Sequence, residues 1–171
     1  SPHYHPMSQG IALEGMRLVI ENLPLAYTQP ENLEARAHMM SAAMMGATAF
    51  QKGLGAIHAL SHPVGAMHHT HHGTTNAVCM PAVLKLNTPA IRDKFDTCAS
   101  YLGIEGGFDG FFAFVDRFNT DLGIPQRLSD LGVSEPDIDR LVSGAINDPS
   151  CGGNPVTLTE GVLRQLFEEV L

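Results

Sequence analysis

Apolar residues in this chain recur at three- and four-residue steps almost from end to end, and scarcely any segment alternates between apolar and polar. A chain patterned in that way buries its apolar surface by packing helix on helix. Leu13, Met16, Ile20 and Leu23 mark one helix face, and Pro24 closes that segment. From Asn32 to about Lys52 the pattern is apolar or small on every side, including Met39, Met40, Met44 and Met45. Such a segment reads as a helix buried all round, with its methionines in the core. Asn76 to Leu86 predicts another helix ended near Asn87, and Thr88-Pro89 supplies a hydroxyl cap and a first-turn proline for one running to about Tyr101. Phe111, Val115, Phe118 and Leu122 give the next face, stopped by Gly123 and Pro125. Ser134 with Asp137, and Thr157 with Glu160, have capping-box spacing and open the last two helices. The expected fold is all-α, a bundle of seven to eight helices joined by short Gly/Pro loops, with residues 1–171 forming one unit.

Composition narrows the function. The 171 residues, 44 % of them apolar, suffice for one domain with its own core. Eighteen acidic against ten basic residues, a net charge of −8, argue against nucleic acid and anionic membranes, which need clustered Lys and Arg. No apolar run approaches a membrane span, because charged, Pro or Gly residues interrupt each one. No signal-peptide pattern stands at the start, Ser1-Pro2-His3-Tyr4-His5-Pro6. Cys79, Cys98 and Cys151 are odd in number and far apart, so they do not make a disulfide framework, and the expected compartment is the reducing cytoplasm. Each thiol reads as buried or idle.

One local anomaly carries the chemistry. Nine histidines occur in the chain, and six of them, His58, His62, His68, His69, His71 and His72, fall within fifteen residues. His58 and His62 are four apart and share a face on a helix, where two neutral imidazoles can hold one divalent metal. The zinc-protease motif is excluded, since Ala59 stands where that motif needs a general-base Glu. Pro63 and Gly65 should kink or end the helix soon after His62, leaving the four later histidines on a turn or loop. Local reasoning does not choose the ligands, and no carboxylate lies between residues 53 and 73 to complete a catalytic set.

The run Gly53-Leu54-Gly55-Ala56-Ile57-His58-Ala59-Leu60-Ser61-His62-Pro63-Val64-Gly65-Ala66, followed by His71-His72-Gly73-Thr74-Thr75-Asn76-Ala77-Val78-Cys79-Met80-Pro81, resembles the signature of iron-containing (group III) alcohol dehydrogenases. Residues Ile11 to Leu18, Glu34 to Gly46 and Cys151-Gly152-Gly153-Asn154-Pro155 are similar to further segments of that family, so the likeness spans essentially the whole chain. The resemblance implies a dehydroquinate synthase-like C-terminal helical domain. It makes His58 and His72 metal ligands, and sets His62 beside the metal and the nicotinamide ring, where it serves both catalysis and cofactor binding. Ser150 to Asn154 would line the far side of the cleft. His68, His69 and His71 match no ligand position and read as loop residues.

The implied reaction interconverts alcohols with aldehydes or ketones by hydride transfer, with Fe(II) or Zn(II) as the divalent metal and NAD or NADP as cofactor. The family holds that cofactor mainly in an N-terminal α/β domain, and no Gly-rich pyrophosphate turn stands in this chain. The family's further Asp and His ligands, four residues apart, have no counterpart here either. Residues 1–171 are therefore expected to be the C-terminal part of a longer enzyme, inactive alone, acting on a small alcohol or aldehyde and associating as a homodimer or higher homo-oligomer. Two alternatives stay open at this point. One is a maleylacetate-reductase-like oxo-acid reductase, against which the scattered arginines offer no clear anion clamp. The other is a non-catalytic helical metal-binding module closed by His58, His62, His71 and His72.

Overall fold

The computed structural model describes residues 1–171, none of them in a β-strand. Seven helices carry the chain: α1 (Pro6–Thr28), α2 (Leu33–Ala49), α3 (Ala56–His68), α4 (His72–Tyr101), α5 (Gly107–Asp121), α6 (Ile138–Ile146) and α7 (Glu160–Val170). Short 3-10 turns stand at Phe50–Lys52, Leu128–Leu131, Glu135–Asp137 and Pro149–Gly153. The all-α expectation and its helix count hold. Contacts group the residues into two compact units. One comprises Ser1–Pro2, Leu54–Asp93 and Phe112–Leu171, and the other His3–Gly53 and Lys94–Phe111.

The second unit is built on α1 and α2. The His5 imidazole caps α1 by accepting from the Ser8 N–H at 3.1 Å, and Asn32 caps α2 by accepting from the Ala35 N–H at 3.1 Å. Gly15 of α1 and Ala35 and Ala42 of α2 are buried. The expectation that α2 is covered on all sides is not met: Leu33, Met40 and Met44 are 72–78 % exposed. A helix apolar all round is able to be buried all round, but here only the side carrying Ala35 and Ala42 is buried, with Met45 set against Gly15 of α1. Glu14 accepts from Arg17 and from the Tyr101 hydroxyl, and these hydrogen bonds hold its carboxyl down to about 2. Phe95 packs edge-on against Phe111 and Phe108, with ring centres 4.9 and 6.1 Å away.

The first unit holds the main core. Leu60 and Val64 of α3, Val78, Cys79 and Val83 of α4, Leu141 and Ala145 of α6, and Leu163, Leu166 and Phe167 of α7 are buried in one cluster with Leu128. Ser134 and Asp137 form the expected capping box ahead of α6, whereas α7 is capped by Thr159, which accepts from the Val162 N–H at 3.3 Å, and not by Thr157. Gly144 of α6 faces Pro63 of α3, where an added Cβ would lie 2.7 Å from the proline Cβ. The missing side chain lets these two helices approach closely.

Prolines end fewer helices than their sequence positions suggest. Pro24 lies inside α1, Pro63 inside α3, and both Pro81 and Pro89 inside α4. The two helices expected on either side of Asn87 are one helix of 30 residues. A mid-helix proline lacks an N–H and so deprives the carbonyl four residues back of its partner. For Pro81 that carbonyl is Ala77 O, and the Asn119 amide on α5 donates to it at 3.1 Å. Supply of the lost donor by a neighbouring helix is why the breaker does not break.

The loop after α6 fixes the start of α3. Asn154 Oδ1 accepts from the Ala56 N–H at 3.2 Å and from Asn87 Nδ2 at 2.9 Å. Its Nδ2 donates to Asn87 Oδ1 at 2.9 Å and to Val156 O at 2.7 Å. One buried amide thus caps α3 from 98 residues away and pairs with the middle of α4. Gly153 makes the approach possible, because any Cβ there would overlap Leu54 O. Replacing Asn154 by Ala leaves Ala56 N–H and both polar ends of Asn87 unpaired in the interior. The expected loss, read from urea unfolding of the chain, is about 3 kcal/mol, against a few tenths for an exposed asparagine such as Asn147.

Candidate metal and nicotinamide site

Helix α3 begins just after Gly55 and carries His58 and His62 on one face, one turn apart. Helix α4 begins at His72. The ring centres lie 5.5 Å apart for His58 and His62, 5.3 Å for His58 and His72, and 5.6 Å for His62 and His72. The three histidines singled out in the sequence therefore form a nearly equilateral triangle. Asn76, one turn beyond His72, places its Nδ2 3.1 Å from His72 Nε2 and 3.5 Å from His58 Nε2, while its own Oδ1 is buried without a partner.

Both Nε2 atoms thus lie beside the same amide nitrogen. An amide NH₂ has two hydrogens, one for each ring, and imidazoles that accept them keep their protons on Nδ1 and their lone pairs on Nε2. Two imidazole Nε2 atoms side by side fit half of a four-ligand shell for Fe(II) or Zn(II). No group of three or more His, Cys, Asp or Glu side chains in the chain is arranged to hold an ion together.

The remaining histidines have other duties. Helix α3 runs through Pro63 and Gly65 to His68, so the loop expected after His62 shrinks to the three residues between His68 and His72. His68 stands 3.4 Å from Asp137. His69 ends α3 in the left-handed region at φ 54°, a conformation in which His is enriched among non-glycine residues. His71 Nδ1 accepts from the Thr74 N–H at 3.3 Å and meets the Thr74 hydroxyl at 3.1 Å, which makes it the cap of α4. The His-only set that included His71 does not form.

Sequence reasoning missed two residues. Asn76 was legible in principle, four positions after His72 in a helical stretch. Asp148 was not: its Oδ2 meets His62 Nδ1 at 2.8 Å across 86 residues of chain. Burial alone would raise the Asp148 carboxyl, but hydrogen bonds from Ser150 and His62 outweigh it and hold the group below its usual range. The cysteines are as quiet as expected. Burial pushes the Cys79 thiol up to about 12 and Cys98 to about 11, and Cys151 Sγ donates to Ala145 O.

Residues 1–171 match the Fe-containing alcohol dehydrogenase family, C-terminal. The chain belongs to this family. It is 36 % identical to 4-hydroxybutyrate dehydrogenase of Cupriavidus necator, covering 99 % of this chain and 46 % of that one. It is 33 % identical to NAD-dependent methanol dehydrogenase of Bacillus methanolicus, covering 97 % and 46 %. The crystal structure of a 1,3-propanediol oxidoreductase superimposes with a TM-score of 0.94 at 32 % identity, covering 100 % of this chain and 47 % of that one. The chain spans about half the length of the curated relatives it matches. No helix is long and apolar enough to cross a membrane.

Burial, followed by the neighbouring His72 and His62, pushes the His58 imidazole below its ordinary value of 6.5, with Asp148 opposing. The unfolded chain then binds the His58 proton more readily than the folded one. The stability this histidine contributes is complete above about pH 6.5 and is lost as the pH falls through that value toward the depressed folded pKa. Titration of the His58 Cε1–H resonance should show a midpoint below 6.5, moving upward in His72→Ala. A midpoint at or above 6.5 would contradict the assigned environment.

Proposed function

We propose that residues 1–171 act as a single metal- and substrate-binding helical domain of an NAD(P)-linked alcohol dehydrogenase that interconverts small alcohols with aldehydes or ketones. The observation that carries this reading is the triangle of His58, His62 and His72, with His58 Nε2 and His72 Nε2 both within 3.5 Å of one Asn76 amide nitrogen. In it, His58 and His72 hold Fe(II) or Zn(II) from one side. His62 lies against the nicotinamide and the substrate, where its Nε2 orients the hydroxyl and moves its proton. When bound, the divalent ion supplies the positive charge that makes an alcohol more acidic and a carbonyl more electrophilic, and the nicotinamide takes or gives the hydride.

Asn76 keeps the two ligand rings in the Nδ1–H tautomer, and its amide would yield both Nε2 lone pairs to a bound ion. The 150–154 loop, tied to α3 by Asn154, forms the far wall of the cleft. The remaining ligands and the nicotinamide-binding fold belong, in this reading, to a partner half of the enzyme, which works as a cytoplasmic homo-oligomer on a neutral alcohol or aldehyde.

Elemental analysis of the purified chain titrated anaerobically with Fe(II), and separately with Zn(II), tests the assignment. Weak binding is expected, lost in both His58→Ala and His72→Ala. The affinity loss in each should exceed the about 10- to 100-fold typical of losing an outer-shell partner. Full occupancy in either variant would remove that residue from the ligand set. NADH-linked reduction of an aldehyde should be absent from the chain alone, and measurable turnover would refute the half-site.

A further inference from the structure

The carboxylate of Asp148 divides its two oxygens between two tasks. Oδ1 accepts from the Ser150 N–H at 2.8 Å and so caps the turn Pro149–Gly153. Oδ2 meets His62 Nδ1 at 2.8 Å. The Asp148 side chain is 12 % exposed and that of His62 41 %. An ionised carboxylate only accepts hydrogen bonds, so a ring nitrogen at this distance from it must carry a proton. Neighbouring contacts hold the pair in place: Gly144 of α6 lies against Pro63, the residue after His62, and Asn154 anchors the far end of the same turn to α3. His62 therefore has a fixed ring and a fixed tautomer.

We propose that Asp148 is a positioning residue that keeps His62 in the Nδ1–H tautomer, so that Nε2 presents a lone pair toward the His58–His72 side of the site. This rests on the reading of His62 given above, and it fixes the direction of the proton step. In alcohol oxidation Nε2 accepts the hydroxyl proton, and a bound nicotinamide would take the hydride from the carbinol carbon. In reduction the protonated Nε2 returns the proton. A His62 in the opposite tautomer would point an N–H at the substrate and could only donate from its neutral form.

Asp148→Asn separates this role from a structural one. The Ser150 N–H is a donor, so it requires the amide oxygen of the new residue, and asparagine is as good a cap as aspartate. That choice turns the NH₂ group to His62 Nδ1. A donor facing Nδ1 drives the ring to Nε2–H, with the turn still capped. Two-bond ¹H–¹⁵N correlation spectra of the 171-residue chain at neutral pH read the His62 tautomer directly. The wild type should show Nδ1–H and Asp148→Asn should show Nε2–H, at unchanged helicity and urea midpoint. Asp148→Ala should show a tautomer mixture and a destabilised turn.

The same tautomer in the wild type and Asp148→Asn, with both folded, would overturn the proposal. The spectra need neither metal nor turnover, so their outcome is independent of the metal titration that tests the dehydrogenase reading. If that titration fails while the tautomer reverses, the positioning contact stands and the dehydrogenase reading falls. In a dehydrogenase reconstituted with its nicotinamide-binding half, Asp148→Asn should lower kcat by about 10- to 100-fold with KM little changed. A KM effect alone would instead make Asp148 a wall of the substrate pocket.

Discussion

The amide of Asn154 is the contact on which the candidate site depends. The first N–H groups of a helix have no partner inside the helix, and a buried helix start must find acceptors elsewhere or lose several kcal/mol. Helix α3 starts inside the first unit at Ala56, which is fully covered. Asn154 satisfies that start and simultaneously exchanges two hydrogen bonds with Asn87. Every polar atom of the Asn154 side chain is used. A network of this kind rigidifies when complete and is costly when any member is lost. It sets where α3 begins, and since His58 is the third residue of α3, it sets where the first imidazole stands.

Helix α4 ties this anchor to the chemistry because it does not stop where its prolines suggest. His72, Asn76 and Asn87 are four and eleven residues apart, spacings that keep them on one side of a continuous helix. The residue that orients the two imidazoles and the residue that pairs with the α3 cap are therefore carried by the same rod. Two separate helices would have broken that relation. Asn119, by donating to the carbonyl that Pro81 leaves without its N–H, helps keep the rod whole. Asparagines at positions 76, 87, 119 and 154 thus supply the polar frame around a site whose conspicuous residues are histidines.

The histidines themselves divide by geometry and not by proximity in sequence. An imidazole can accept a backbone N–H like a short polar cap, as His5 and His71 do. It can also tolerate a left-handed backbone, as His69 does. Only rings that happen to share a side, His58, His62 and His72, converge. A local concentration of one residue type announces that a site is near. It does not name the members, because one segment of fifteen residues spans a helix end, a turn and a helix start.

Period alone determined that this chain is helical, since apolar side chains spaced at three and four residues can share a face only on a helix. The spacing of His58 and His62 determined that they would lie side by side, and the family signature extended the set to His72. Helix ends were less legible. Pro24, Pro63, Pro81 and Pro89 read as breakers because their cost is local, whereas its compensation comes from donors such as Asn119 on another helix. The exposure of α2 was illegible for a related reason: apolar composition records what a helix can bury, and tertiary structure records what arrives to cover it. Only the folded chain could bring Asp148 to His62 and Asn154 to Ala56. Both contacts are single hydrogen bonds between residues 86 and 98 positions apart, and no periodicity or spacing in a sequence encodes a pairing that backbone topology alone creates.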